Sequence, residues 1–135
     1  YTEVKKGAYV CKGDRNSLSN SDFIIYATGS EVGLALEVAS ELETQGKKAS
    51  VVSMPCWEYF FAQDKDYIKS ILCSGHSAKI SIEAGTTLGW QKIVGENGLC
   101  IGVDHFGASA PMADLAAEYG FTKEKVLEKI KTHYG

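Results

Sequence analysis

Five short apolar runs punctuate the chain, and between them apolar residues return every three or four positions. "GAYVCKG" (7–13), "FIIYA" (23–27), "KASVVSM" (48–54), "AKISIEA" (78–84) and "LCIGVD" (99–104) are the strand candidates. "FIIYA" is apolar throughout, as expected of a strand covered on both faces. From about Glu31 to Gln45, Val32, Ala35, Ala39 and Leu42 line up on one helix face, with Glu37, Glu41 and Glu43 mostly opposite. Gly46 suits the left-handed residue that ends such a helix. Pro55 closes the third strand, and the aromatic "WEYFFAQD" (57–64) reads as partly helical at best.

"KDYIKSILCSG" (65–75) reads as a helix with Ile68, Ile71 and Leu72 as its stripe, and "TLGWQKIVGENG" (87–98) as a helix interrupted by glycine. "SAPMADLAAEYG" (109–120) and "TKEKVLEKIKTHYG" (122–135) read as two closing helices, separated at Gly120, with Thr122 capping the second. Strands that alternate with helices in this way predict an α/β fold: a mainly parallel sheet, helices on both faces and right-handed crossovers.

Length and charge narrow the partners. The 135 residues suit one domain, and a net charge of −3 spread without blocks lacks the basic footprint of a nucleic-acid binder. Arg15 is the only arginine in the chain. Planar, two-pronged capture of phosphate falls mostly to Arg, so a grip of several arginines on a sugar phosphate cannot be built from this chain alone. No apolar stretch approaches the ~20 residues of a membrane span, and no secretory pattern is present. Cys11, Cys56, Cys73 and Cys100 show no C-x-x-C spacing, so the expectation is reduced thiols in a cytoplasmic protein, with Cys11 and Cys100 as small core residues. A start at Tyr1 in place of Met leads us to expect one piece of a longer polypeptide.

The sharpest motif is "ATGSEVG" (27–33), where a strand runs into a helix. A dinucleotide fingerprint needs G-x-G-x-x-G and an acid at the end of the next strand. Here Gly29 and Gly33 are spaced G-x-x-x-G, the next strand ends "VVSMP", and the G-K-[ST] of a phosphate loop is absent. Thr28 and Glu31 instead form a T-x-x-E capping box: the Thr28 hydroxyl takes the residue-31 amide and Glu31 reaches back to the Thr28 amide. An acid there repels phosphate. The alternative is a small-anion site on the amides of Thr28, Gly29 and Ser30.

Other candidates have plainer readings. Cys73 and His76 are conceivable as a nucleophile pair but read better as a helix end and loop. Asp104 and His105 end the last strand, with Ser109 and Pro111 opening the helix that follows. Glu83 is the best lone acid at a strand end, expected to hydrogen-bond the backbone of Gly85–Thr87. Trp57, Tyr59, Phe60 and Phe61 suggest core or interface packing. The loops at Thr28–Ser30, Glu83–Thr87 and Asp104–Ser109 would make a regulatory pocket if they converged. No residue is assigned a catalytic, cofactor-binding or metal-binding role.

Taken together, "KGAYV" (6–10), "DFIIYATGSEVGLALEVASEL" (22–42), "KKASVVSMPCWEYFFAQDKDY" (47–67), "SIEAGTTLGW" (81–90) and "IGVDHFGASAP" (101–111) followed by "LAAEYGFTKEKV" resemble the C-terminal domain of transketolases. Many members of that family have Arg where His105 stands. The resemblance covers almost the whole chain, 1–135, as a single domain. It implies a three-layer α/β/α fold with a five-stranded mixed, mostly parallel sheet whose first strand runs antiparallel to the rest. It also implies that the full enzyme transfers a two-carbon ketol unit from a ketose phosphate to an aldose phosphate, in the pentose phosphate pathway. In the family, thiamine diphosphate and Mg²⁺ or another divalent metal lie between two preceding domains across a homodimer interface. This segment would then be non-catalytic and inactive alone, supporting packing on those domains and dimer assembly, with no nucleic acid or membrane as partner.

Overall fold

The computed structural model describes residues 7–13, 15–29, 31–73, 76, 78–83, 89–95, 98–102 and 123–134. Its strands are β1 (Tyr9–Lys12), β2 (Phe23–Ala27), β3 (Ala49–Ser53), β4 (Lys79–Glu83) and β5 (Leu99–Gly102). The helices are α1 (Glu31–Thr44), α2 (Trp57–Phe61), α3 (Lys65–Leu72), α4 (Gln91–Val94) and α5 (Lys123–Tyr134), with a kinked 3₁₀ segment at Arg15–Asn20. The helix read over 109–120 and the caps at Ser109 and Thr122 lie outside the described residues.

The five strands form one sheet in the order β1-β3-β2-β4-β5. β1 pairs antiparallel with β3, and the remaining pairs are parallel. Successive strand residues face opposite sides of a sheet, and β2 shows why its sequence has no polar position. Ile25 and Ala27 join one cluster, with Ala35, Val38, Ala39 and Leu42 of α1 and Val126 and Ile130 of α5. Ile24 and Tyr26 join the other, with Phe60 of α2, Tyr67 and Ile71 of α3, and Ile93 and Val94 of α4. Helices therefore cover both faces, giving three layers around a doubly buried sheet. Each isoleucine fully buried in this way contributes roughly 1.5–3 kcal/mol relative to exposure.

Helix ends follow the glycines where the sequence supplies them. Gly46 takes φ +82°. Its N–H donates to Glu43 O and the Lys47 N–H to Leu42 O, both at 3.0 Å, the paired bonds of a Schellman closure. Gly89 and Gly95, at φ +86° and +84°, bracket α4 and hold it to four residues. The end of α3 differs from the sequence reading. The sequence pattern carries this helix to 75, whereas α3 ends at Leu72 and Cys73 takes the left-handed conformation, at φ 46°.

Candidate functional site

The strand order reverses between β2 and β4. β3 lies on one side of β2 and β4 on the other, and the carboxyl ends of strands at such a reversal are where open α/β sheets tend to hold ligands. The residues there are Thr28, directly after β2, and Glu83, the last residue of β4. The fold brings them together: the Thr28 hydroxyl donates to Glu83 Oε2. The Glu31 N–H donates to the Thr28 carbonyl at 3.1 Å and the Val32 N–H to the Gly29 carbonyl at 3.3 Å.

This arrangement changes the expected cap. The Thr28 hydroxyl proton goes to a carboxylate fifty-five positions away, and the amide of residue 31 goes to the Thr28 main chain. A local T-x-x-E pattern cannot register that a neighbouring strand ends in an acid. Gly29, exposed at φ +55°, completes the described part of the turn. Ser30 lies outside the described residues, as do residues 84–88 and 103–110. Two of the three strand-end loops therefore meet, at Thr28 and Glu83, and the third, with Asp104 and His105, is not described.

The hydroxyl–carboxylate bond is half-exposed, and hydrogen bonds to charged groups contribute roughly 1.5–3 kcal/mol, toward the lower figure where water competes. Thr28→Ala is expected to lower the urea midpoint by an amount equivalent to about 1 kcal/mol. Millimolar phosphate is expected to leave both midpoints where they are. Phosphate protection of the wild type alone would establish an anion site at this turn.

Cys73 and His76 are committed to the backbone. The Ala78 N–H donates to His76 Nδ1 at 3.0 Å, so the ring proton sits on Nε2, which donates to the Ser21 carbonyl at 2.7 Å. The imidazole thereby ties the α3–β4 connection to the turn before β2. The Cys73 thiol donates to Ser70 O at 3.5 Å. Both ring nitrogens of His76 and the Cys73 thiol are thus engaged by backbone groups.

Cys73 belongs instead to a closed polar cluster at the end of α3. A helix leaves its last four carbonyls without intrahelical partners, and here each is met. The Cys73 N–H takes Lys69 O at 3.0 Å and its thiol takes Ser70 O. The Tyr26 hydroxyl donates to Ile71 O at 2.7 Å and to Leu72 O at 3.3 Å. The buried Lys79 ammonium donates to Leu72 O at 2.6 Å and lies 6.0 Å from the Tyr26 ring centroid. A cation at the negative end of a helix is favourably placed. This explains a lysine on the covered face of a core strand, and why α3 ends on a strained non-glycine residue.

Burial, reinforced by the nearby Cys73 thiolate, pushes the Tyr26 hydroxyl well above its usual range. Burial raises the Cys73 thiol too, against the opposing pull of Lys79, and lowers the Lys79 ammonium, against that of Cys73. Tyr26 thus keeps its proton in the fold above pH ~10, where an unfolded tyrosine loses it. The unfolded state then binds fewer protons, so stability falls as pH rises, by up to about 1.4 kcal/mol per pH unit for this one group. Lys79 has the opposite sign and offsets part of the loss below its unfolded value. Denaturant midpoints from pH 9 to 11 are expected to fall steeply. Tyr26→Phe is expected to be less stable at pH 7 yet to show a shallower alkaline slope, and an unchanged slope would contradict this assignment.

Cys11 and Cys100, expected in the core, are half-buried at its edges. The aromatic run divides between core and surface. Phe60 is fully buried, and Trp57 meets Trp90 edge-on at 4.8 Å between centroids. Tyr59 and Phe61 are exposed. Among the described residues, no group of three or more His, Cys, Asp or Glu side chains is placed to hold a metal ion, and no helix is long and apolar enough to cross a membrane.

A doubly covered, mixed five-stranded sheet with a reversal between its second and fourth strands defines an α/β domain of the open-sheet class. Residues 7–122 match the family model described as the transketolase-like TK C-terminal domain, and the chain belongs to that family. It is 43% identical over 129 residues to transketolase 7 of Craterostigma plantagineum, covering 95% of this chain and 19% of that protein. It is 46% identical over 129 residues to the chloroplastic transketolase of Spinacia oleracea, covering 96% of this chain and 17% of that one. The solved transketolase from Leishmania mexicana superposes with a TM-score of 0.83 at 34% identity, over 97% of this chain and 18% of that chain. The chain therefore spans about a fifth of the length of the curated relatives it matches. Its fold agrees with the α/β/α architecture and antiparallel first strand that the resemblance implied.

Proposed function

We propose that this chain is the C-terminal, non-catalytic domain of a transketolase. The full enzyme would move a two-carbon ketol unit from a ketose phosphate to an aldose phosphate, in the cytoplasmic pentose phosphate pathway. The domain's own part would be to pack on the catalytic domains and support a homodimer. The observation that carries this reading is the match of residues 7–122 to the family's C-terminal domain, by a chain a fifth as long as its transketolase relatives.

Thiamine diphosphate with Mg²⁺ supplies the carbanion chemistry in such an enzyme. Holding it takes oxygen ligands for the ion and cations or amides for the diphosphate. The described residues do not fit that unit. The acid at the strand reversal, Glu83, already accepts a bond from Thr28, and no three potential ligands are gathered. Both observations support catalysis by other domains.

The test compares two proteins under saturating thiamine diphosphate and Mg²⁺, with a ketose phosphate donor and an aldose phosphate acceptor. The full-length polypeptide containing this segment is expected to transfer the ketol unit, and residues 1–135 alone are expected to show no turnover above buffer. Turnover by the short chain, or none by the long one, would contradict the proposal.

A further inference from the structure

Between α1 and α5 the surface opens into a cavity of about 610 Å³. It lies at the amino ends of the parallel strands, where Phe23 opens β2, and so at the opposite edge of the sheet from Thr28 and Glu83. Its floor is apolar. Leu42 and Ile130 are buried there, and Phe23, Leu127 and Tyr134 are half-buried. The Phe23 and Tyr134 rings meet edge-on at 5.7 Å between centroids, and the Tyr134 hydroxyl donates to Lys79 O at 3.1 Å, which fixes this aromatic wall to the sheet. Small-molecule sites are concave spaces of roughly 300–1,000 Å³, mostly apolar, with a few polar groups that set orientation.

Those polar groups stand at the mouth. Lys47 comes from the turn after α1, and Glu124, Glu128 and Lys131 come from α5. All four are exposed, and none makes an ion pair among the described residues. Open charges of both signs around one apolar floor complement a molecule with an apolar body, an ammonium and a carboxylate, each able to form a charge-assisted bond. A sugar phosphate or diphosphate is a poor match. Its negative charges would face two glutamates across the mouth, and among the described residues no arginine lines the cavity.

We propose that the cavity between α1 and α5 is a binding site for an aromatic α-amino acid. The ring lies against Phe23, Leu127 and Tyr134, the carboxylate turns to Lys47 and Lys131, and the ammonium turns to Glu124 and Glu128. A ligand held between the two helices stabilises their packing by mass action. The site does not rest on the reading of the chain as a transketolase domain.

The experiment is equilibrium dialysis of radiolabelled L-phenylalanine against the full-length polypeptide, with 3-phenylpropionate and phenethylamine as competitors. L-phenylalanine is expected to bind saturably, one per chain. Each competitor, lacking the ammonium or the carboxylate, is expected to be at least several-fold weaker than unlabelled L-phenylalanine. Lys47→Ala/Lys131→Ala and Glu124→Gln/Glu128→Gln are each expected to weaken L-phenylalanine several-fold, with denaturant midpoints little changed because all four side chains are exposed. The lysine pair should leave phenethylamine, which has no carboxylate to lose, about where it was. No saturable binding up to millimolar L-phenylalanine overturns the proposal, as does equal competition by all three molecules. Undiminished binding to both double variants places the amino acid elsewhere and likewise overturns it.

Discussion

Gly7→Ala is expected to destabilise this domain by about 3 kcal/mol, from left-handed strain of roughly 1–2 and overpacking of roughly 1–3. Gly7 has φ +85°, and a Cβ there would stand 2.1 Å from Cys56 O and 2.4 Å from Phe60 N. Both are backbone atoms of the turn and helix that pin the chain entry, so no flexible side chain can swing aside. For a domain of this size, each kcal/mol moves Tm by roughly 3–5 °C, giving a loss of about 10 °C. Gly46→Ala provides the contrast, since φ is +82° but nothing lies within 4 Å of its built Cβ. It should cost only the backbone strain, about 1 kcal/mol. Equal losses at the two positions would mean that Gly7 is conformationally special but not tightly packed.

Phe60→Ala is expected to cost about 3–5 kcal/mol, the usual range for emptying a buried aromatic site. Phe60 is fully buried and meets Phe61 and Tyr67 edge-on, at 5.0 and 6.3 Å between centroids. It fills the α2 side of the cluster that includes Ala8, Tyr26 and Met54. Phe61→Ala, one residue further on, should change stability by less than about 0.5 kcal/mol, as exposed substitutions generally do. Chemical denaturation of the two variants reads the difference directly. A larger loss at Phe61 than at Phe60 would reverse the orientation of α2.

The same helix shows how far sequence patterns reach. In the run from Trp57 to Phe61, four of five residues are aromatic and Glu58 is the single polar position, too little for periodicity to say which ring faces the sheet. In α1 the acids at 37, 41 and 43 supply that phase, and the face read from sequence is the buried one, with Val38 added and Val32 only half-buried. All five strands were legible because short continuous or alternating apolar runs and their bounding turns are local signals. The antiparallel direction of β1 is not a local signal, and it came from the family resemblance.

What stayed hidden depends on partners far apart in the chain. The Thr28 hydroxyl turns to Glu83 because β2 and β4 are neighbours. Cys73 ends α3 in a left-handed turn because Tyr26 and Lys79, on those same strands, cap the carbonyls ahead of it. "CSGH" reads best as a helix end and loop, but that pattern does not show that the His76 ring bridges Ser21 and Ala78. In each case a reactive residue type carries out a structural hydrogen bond across the fold.

The central claim is that this segment is a scaffold whose chemistry is supplied by neighbouring domains. Isothermal titration of thiamine diphosphate with excess Mg²⁺ into residues 1–135 tests it most directly. No saturable heat is predicted at cofactor concentrations up to the millimolar range. A one-to-one isotherm with micromolar affinity would contradict the account.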